Sequence, residues 1–127
     1  MRVLLADDQA NVRSALRLLL AQEPDLDVVG EATETEELLV QVEATCPDLV
    51  LLDWELPGTQ ATARPTDAGQ RLILALRACH PGLKIIALSV HPEARQAALA
   101  AGADSFVSKG DPPDQLLAAM DDFLHGV

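Results

Sequence analysis

Basic residues are scarce in this chain. Nine lysines and arginines face twenty aspartates and glutamates across 127 residues, a formal charge of −11. Such a surface repels phosphate backbones, which makes these residues a poor nucleic-acid-binding module. Cysteine is scarce too: Cys46 and Cys79 stand without a CxxC or Cys/His spacing. Both are expected to be small buried hydrophobes in a reducing compartment, not halves of a disulfide or a metal site. No apolar run approaches the roughly 20 residues of a membrane span. Only two residues precede the first apolar run and no small-residue cleavage site closes it, so no signal peptide is expected. The expectation is a cytoplasmic protein without membrane contact.

What is present suits one domain spanning 1–127. The composition is 49% hydrophobic and 23% charged, which argues against disorder. A chain of this length buries roughly two-thirds of its unfolded surface, so neither disulfide nor structural metal is required. Short apolar runs alternate with longer amphipathic stretches. Val3 to Ala6, Leu26 to Gly30, Leu49 to Leu52, Lys84 to Leu88 and Ser105 to Val107 read as strands. Their continuous apolar character suits a parallel sheet covered on both faces.

Five helices are expected between and after these strands. Val12, Ala15, Leu16 and Leu19 share the inward face of the first, with Arg13 and Arg17 off it. Thr33 and Glu36 read as a capping box for the second, which runs through Leu38, Leu39 and Val42. Leu72, Ala75, Leu76 and Cys79 mark the third. Pro92 opens a fourth that Gly102 stops. Asp111 to Asp114 opens a fifth, with Leu116, Leu117, Met120 and Leu124 facing inward. Right-handed crossovers then favour a (βα)5 three-layer α/β sandwich, flavodoxin-like, around five parallel strands. Residues 57–66, rich in turn-forming and small polar residues, read as a loop after the third strand.

The polar residues gather where strands stop. Asp7 and Asp8 follow the first strand, Asp53 ends the third, Ser89 ends the fourth and Lys109 follows the fifth. In an open parallel sheet all of them reach the carboxyl edge, where ligands bind at the switch in strand order. Each alone reads equally well as local structure: Asp7 or Asp8 as a helix cap, Ser89 as a cap for the helix near Pro92, Lys109 as a solvated charge. Their convergence is the stronger signal. Three gathered carboxylates repel one another unless a cation neutralises them, and Mg²⁺ is the natural hard ion for oxygen ligands. A lysine and a hydroxyl beside it would complete a site for a phosphoryl group.

These segments resemble the receiver domain of bacterial two-component response regulators, and the resemblance spans the whole chain. It is carried by Val-Leu-Leu-Ala-Asp-Asp at 3–8, Pro-Asp-Leu-Val-Leu-Leu-Asp at 47–53 with Pro57 beyond it, Ala-Leu-Ser at 87–89, and Gly-Ala-Asp-Ser-Phe-Val-Ser-Lys at 102–109. The last segment, continuing as Gly-Asp-Pro-Pro, is most similar to the LuxR/NarL-type branch with a C-terminal helix-turn-helix output domain. The resemblance implies that Asp53 accepts a phosphoryl group from a histidine kinase. It implies Mg²⁺ on Asp8 and Asp53, on Asp7 through water, and on the main-chain carbonyl of Glu55. Lys109 would contact the phosphoryl oxygens, and Ser89 would swing inward to hydrogen-bond them. Phe106 would follow as a switch residue, although a lone strand aromatic is ordinarily core. A homodimer is a plausible partner state, and any DNA contact would belong to an output domain outside these residues.

Departures from the pattern are local. The expected glycine opening the third helix arrives about eight residues late, as Gly69, so residues 59–66 read as an insertion beside Asp53. It is either a tolerated loop or a lid bringing Arg64 near the acidic cluster. Val90 is larger than the family's usual residue after Ser89. Gly110 replaces the proline that often follows the lysine, so a trans Lys109–Gly110 bond is expected. Trp54 either lies partly exposed or covers the acidic site; His80, His91 and His125 read as surface residues. Two further readings remain open: a pseudo-receiver that binds partners without phosphorylation, and a Mg²⁺-dependent phosphohydrolase with Asp53 as nucleophile. Against the latter, Glu55 stands where an Asp-x-Asp motif needs aspartate, and no cap domain fits. Otherwise no enzymatic activity beyond self-phosphorylation and dephosphorylation is expected.

Overall fold

Successive side chains of a strand point to opposite faces, so a strand apolar at every position requires cover on both sides. The computed structural model describes residues 1–57 and 65–124 and has this arrangement. Its strands are β1 (Arg2–Ala6), β2 (Asp27–Ala32), β3 (Leu49–Asp53), β4 (Lys84–Ser89) and β5 (Ser105–Ser108). The helices are α1 (Ala10–Leu20), α2 (Thr35–Thr45), α3 (Pro65–Cys79), α4 (Arg95–Ala101) and α5 (Pro113–Leu124), with a 3₁₀ turn at Pro92–Ala94 before α4. The sheet is parallel throughout, in the order β2-β1-β3-β4-β5.

The core divides by residue parity. Leu4, Ala6, Val50, Leu52, Ile85 and Ala87 face α2, α3 and α4, packing with Leu38, Val42, Ile73, Leu76 and Ala98. Val3, Leu5, Leu49, Leu51, Ile86 and Leu88 face the other way, onto Leu20 of α1 and Leu116 and Met120 of α5. The expected three-layer sandwich is therefore present.

Some inward faces differ from the expectation. In α1, Leu20 is buried and Ala15 is exposed. In α3, Ile73 joins Leu72 and Leu76, while Ala75 and Cys79 face solvent. Cys46 is exposed as well, so neither cysteine is the buried hydrophobe expected of it. A 3.6-residue period admits neighbouring faces, and the larger side chains take the buried one because they remove more apolar area from water. The N-cap of α2 is Glu34, which makes no side-chain cap; beside it the Thr33 N–H (2.6 Å) and hydroxyl (3.1 Å) donate to Glu37 Oε1, one residue beyond the expected Glu36. Helix α3 starts at Pro65, so the last two residues of the expected loop are helical. The rest of the insertion, Arg64 included, lies outside the described residues, as does His125.

Gly102 ends α4 with a φ of 117°, a left-handed value that glycine adopts without steric cost. Arg77 ties this corner to the sheet, donating to the carbonyl of Leu83 at 2.8 Å and to Asp104 Oδ2 at 2.6 Å. Asp104 Oδ2 also accepts the N–H of Ile85.

Candidate functional site

With order β2-β1-β3, the chain winds in opposite directions from β1 and β3, and the crevice between their carboxyl ends is the switch point. Asp7, Asp53 and Ser89 are the buried polar side chains among the described residues, at 1%, 3% and 0% exposure, and all lie along this edge. Asp8 is exposed at its rim. One carboxylate oxygen each from Asp7, Asp8 and Asp53 lie within 4.8 Å of one another.

Local backbone geometry holds these groups. The Asp7 N–H continues the ladder to the carbonyl of Ala32, and Asp7 Oδ1 accepts the N–H of Gln9 at 2.9 Å. That contact turns the chain into α1, whose N-cap Gln9 makes no side-chain cap of its own. Arg13 donates to the carbonyl of Asp7 at 2.7 Å and to Glu31 at 2.8 Å, and Arg17 also pairs with Glu31. Burial pushes the Glu31 carboxyl upward, but Arg17 and Arg13 outweigh it and leave a lowered pKa. Asp53 Oδ1 accepts the N–H of Glu55 at 3.0 Å, so the acidic side chain is fixed by its own turn.

Lys109 reaches into this cluster. Its backbone N–H donates to the carbonyl of Ser89, and its Nζ stands 2.8 Å from Asp7 Oδ2 and 3.3 Å from Asp53 Oδ1. Burial raises the pKa of Asp53 to about 6, against the opposing pull of the Glu55 N–H and Lys109, with Asp7 adding to the rise. For Lys109 burial acts downward, yet the Asp7 and Asp53 carboxylates prevail and its pKa is raised. Asp7 Oδ2 is a buried oxygen whose partner is the Lys109 ammonium. Three carboxylates clustered this closely, against a single ammonium, are a donor set that fits a hard divalent cation.

Ser89 is engaged on both sides. Its hydroxyl donates to the Glu55 carboxylate, 2.8 Å from Oε1 and 3.0 Å from Oε2, and accepts the His91 N–H at 3.0 Å. The cap-like contact to the turn before α4 thus coexists with a bond to the β3 side of the edge. Phe106 is buried on the sheet face shared with α3 and α4. Trp54 packs against that cluster, and its indole occupies the space where a Cβ on Gly69 would lie, 2.6 Å from the nearest ring carbon. No cis peptide bond occurs among the described residues, as expected for Lys109–Gly110. Val90 is 58% exposed. Sequence reasoning missed the carboxylate of Glu55 and the guanidinium of Arg13. The spacing of Glu55 from Asp53 was visible, but its reach to Ser89 was not.

A 2-1-3-4-5 parallel sheet with carboxylates, a hydroxyl and a lysine on its carboxyl edge defines a flavodoxin-like domain with its polar site at the switch point. The family model for the response regulator receiver domain matches residues 3–121. The nitrate/nitrite response regulator protein NarL of Escherichia coli K12 is 34% identical over 120 residues, covering 93% of this chain and 52% of NarL. RcsB of Salmonella enterica serovar Typhimurium, solved on promoter rprA with the phosphomimetic BeF3⁻, superposes with TM-score 0.85 at 25% identity, covering 99% of this chain and 62% of RcsB. The signal receiver domain of the putative response regulator NarL from Mycobacterium tuberculosis gives 0.82 at 27% identity, covering 99% and 97%. The chain belongs to the response regulator receiver domain family, among relatives of the NarL type. It spans about half the length of NarL.

Proposed function

We propose that this receiver domain is a phosphorylation-controlled switch in which Asp53 is the acceptor. One observation carries the reading: the buried Asp53 carboxylate shares Lys109 with Asp7 and lies beside the Asp7 and Asp8 carboxylates at the switch point. In the proposed step a carboxylate oxygen of Asp53 attacks phosphorus in line. A P–O bond forms, the P–N bond to the histidine of a kinase breaks, and its electron pair returns to the imidazole. The chain's part is positioning and charge, as is usual for phosphoryl transfer. The Glu55 N–H orients the carboxylate, Lys109 faces the phosphoryl oxygens, and Ser89 supplies a hydrogen-bond donor. Asp7, Asp8, Asp53 and the main-chain carbonyl of Glu55 would hold Mg²⁺, which supplies neutralising charge for the phosphoryl oxygens.

Phosphorylation would then bias Ser89 and Phe106 and the surface around α4 and β5. The acidic charge of the chain supports assigning DNA contact to an output domain outside these residues. The same reading makes the domain part of a cytoplasmic regulator of transcription partnered by a histidine kinase. No helix among the described residues is long and apolar enough to cross a membrane. The test is incubation with acetyl phosphate and Mg²⁺ followed by intact mass, with Asp53→Asn as control. Addition of one phosphoryl group, absent in the variant, is expected. A folded, Mg²⁺-binding chain that stays unmodified would overturn the reading in favour of a pseudo-receiver.

A further inference from the structure

Glu55 touches both halves of the proposed switch. Its N–H donates to Asp53 Oδ1, and its carboxylate receives the Ser89 hydroxyl through both oxygens. Ser89 is fully buried, and its single proton points at Glu55 while its lone pair accepts from His91. A hydroxyl has one proton to donate. While Glu55 holds it, a phosphoryl group on Asp53 cannot.

From this geometry, and resting on the reading of Asp53 as phosphoacceptor, we infer that the Glu55 side chain is a latch that holds Ser89 in the unphosphorylated arrangement. Two anions compete for one donor. A hydrogen bond from a neutral hydroxyl to a carboxylate is charge-assisted and stronger than a neutral pair, so Ser89 gives it up only to a stronger acceptor. A phosphoryl group is such an acceptor, and its charge also repels the carboxylate. Glu55 is exposed apart from this contact and has solvent to move into. The latch therefore sets a threshold: part of the free energy of phosphoryl binding goes into releasing Ser89. Glu55 is a positioning residue, acting on the phosphoryl site through Ser89.

The test uses fluoroberyllate with Mg²⁺ as the phosphoryl mimic on the 127-residue chain. Binding is followed by Trp54 emission and by calorimetry. Glu55→Ala, Glu55→Gln, Ser89→Ala and the corresponding double variants are compared with the unchanged chain. Removing the latch is expected to tighten fluoroberyllate binding about tenfold where Ser89 is present, as a charge-assisted bond of that strength implies. In the Ser89→Ala background the same substitutions are expected to change it less than about twofold. Equal tightening in both backgrounds would mean that Glu55 acts only as a nearby negative charge, and the latch would be wrong. Unchanged or weaker binding in the Glu55 variants would overturn it as well. Failure of every form to bind fluoroberyllate while each binds Mg²⁺ removes the phosphoacceptor reading itself, which separates the two failures.

Discussion

Lys109 bridges Asp7 and Asp53: its Nζ lies 2.8 Å from one carboxylate and 3.3 Å from the other, and both carboxylates are almost fully buried. One ammonium therefore offsets charge that two strand ends, far apart in sequence, bring together. Two buried carboxylates with no cation between them would favour the protonated form of one.

Lys109→Met is accordingly expected to destabilise the chain by about 2–3 kcal/mol at pH 7.5 in a chelator, since it leaves paired charge buried and unbalanced. Mg²⁺ should recover most of that loss and bind the variant at least as tightly as the unchanged chain. Urea unfolding with and without Mg²⁺ measures both. An equal loss in the two conditions would show that Lys109 supports the fold by packing instead.

The raised pKa of Asp53 makes stability depend on pH. The native state holds this proton more tightly than the unfolded chain, so the contribution is full below about 4 and is lost as pH rises through about 6. With chelator present, this one group is expected to cost up to about 3 kcal/mol across that window. Glu31 works with the opposite sign, because its lowered pKa gives stability that disappears as pH falls. The raised Lys109 value acts only in the alkaline range. Asp53→Asn isolates the effect: its urea midpoint should exceed that of the unchanged chain above pH 6 and converge with it near pH 4. Parallel profiles would refute the assignment.

Gly69 has a steric task. A Cβ there would meet three carbons of the Trp54 ring at 2.6–3.0 Å, and the ring cannot bend. Gly69→Ala should displace the indole, shift its emission to longer wavelength and cost about 1–3 kcal/mol, the usual penalty of overpacking. Unchanged emission would indicate that the helix yields instead.

Arg13 holds the turn that presents the acidic pair, through the Asp7 carbonyl and Glu31. Arg13→Ala is expected to weaken Mg²⁺ binding several-fold, read by Trp54 emission, because Asp7 and Asp8 lose their fixed direction. Arg17→Ala, which removes a more exposed pairing with the same glutamate, should have a smaller effect. The reverse order would place the control of the turn in Glu31 alone.

The layers and the polar edge were legible in the sequence. Apolar runs that end in Asp7, Asp53, Ser89 and Lys109 require a parallel sheet covered on both faces, and a parallel sheet delivers every strand end to one edge. Mispairing Thr33 with Glu36 and turning Ala75 and Cys79 inward were errors of one or two positions around a helix. Hydrophobic period limits a face to a sector, whereas packing against a particular sheet chooses within it.

Other features depended on contacts between remote segments. The sequence by itself determined which strand-end side chains reach the site, because strand termini are local events. Tertiary structure alone decided what those side chains do to one another. Glu55 and Ser89 are 34 residues apart and meet only because β3 and β4 are neighbours in register. Lys109 meets Asp7 through the bridging order of the sheet, and Trp54 finds Gly69 across a helix whose start the loop composition obscured. Hydrogen bonds, shared protons and ring contacts act over a few ångströms, and that proximity comes from the folded chain, not from spacing along it.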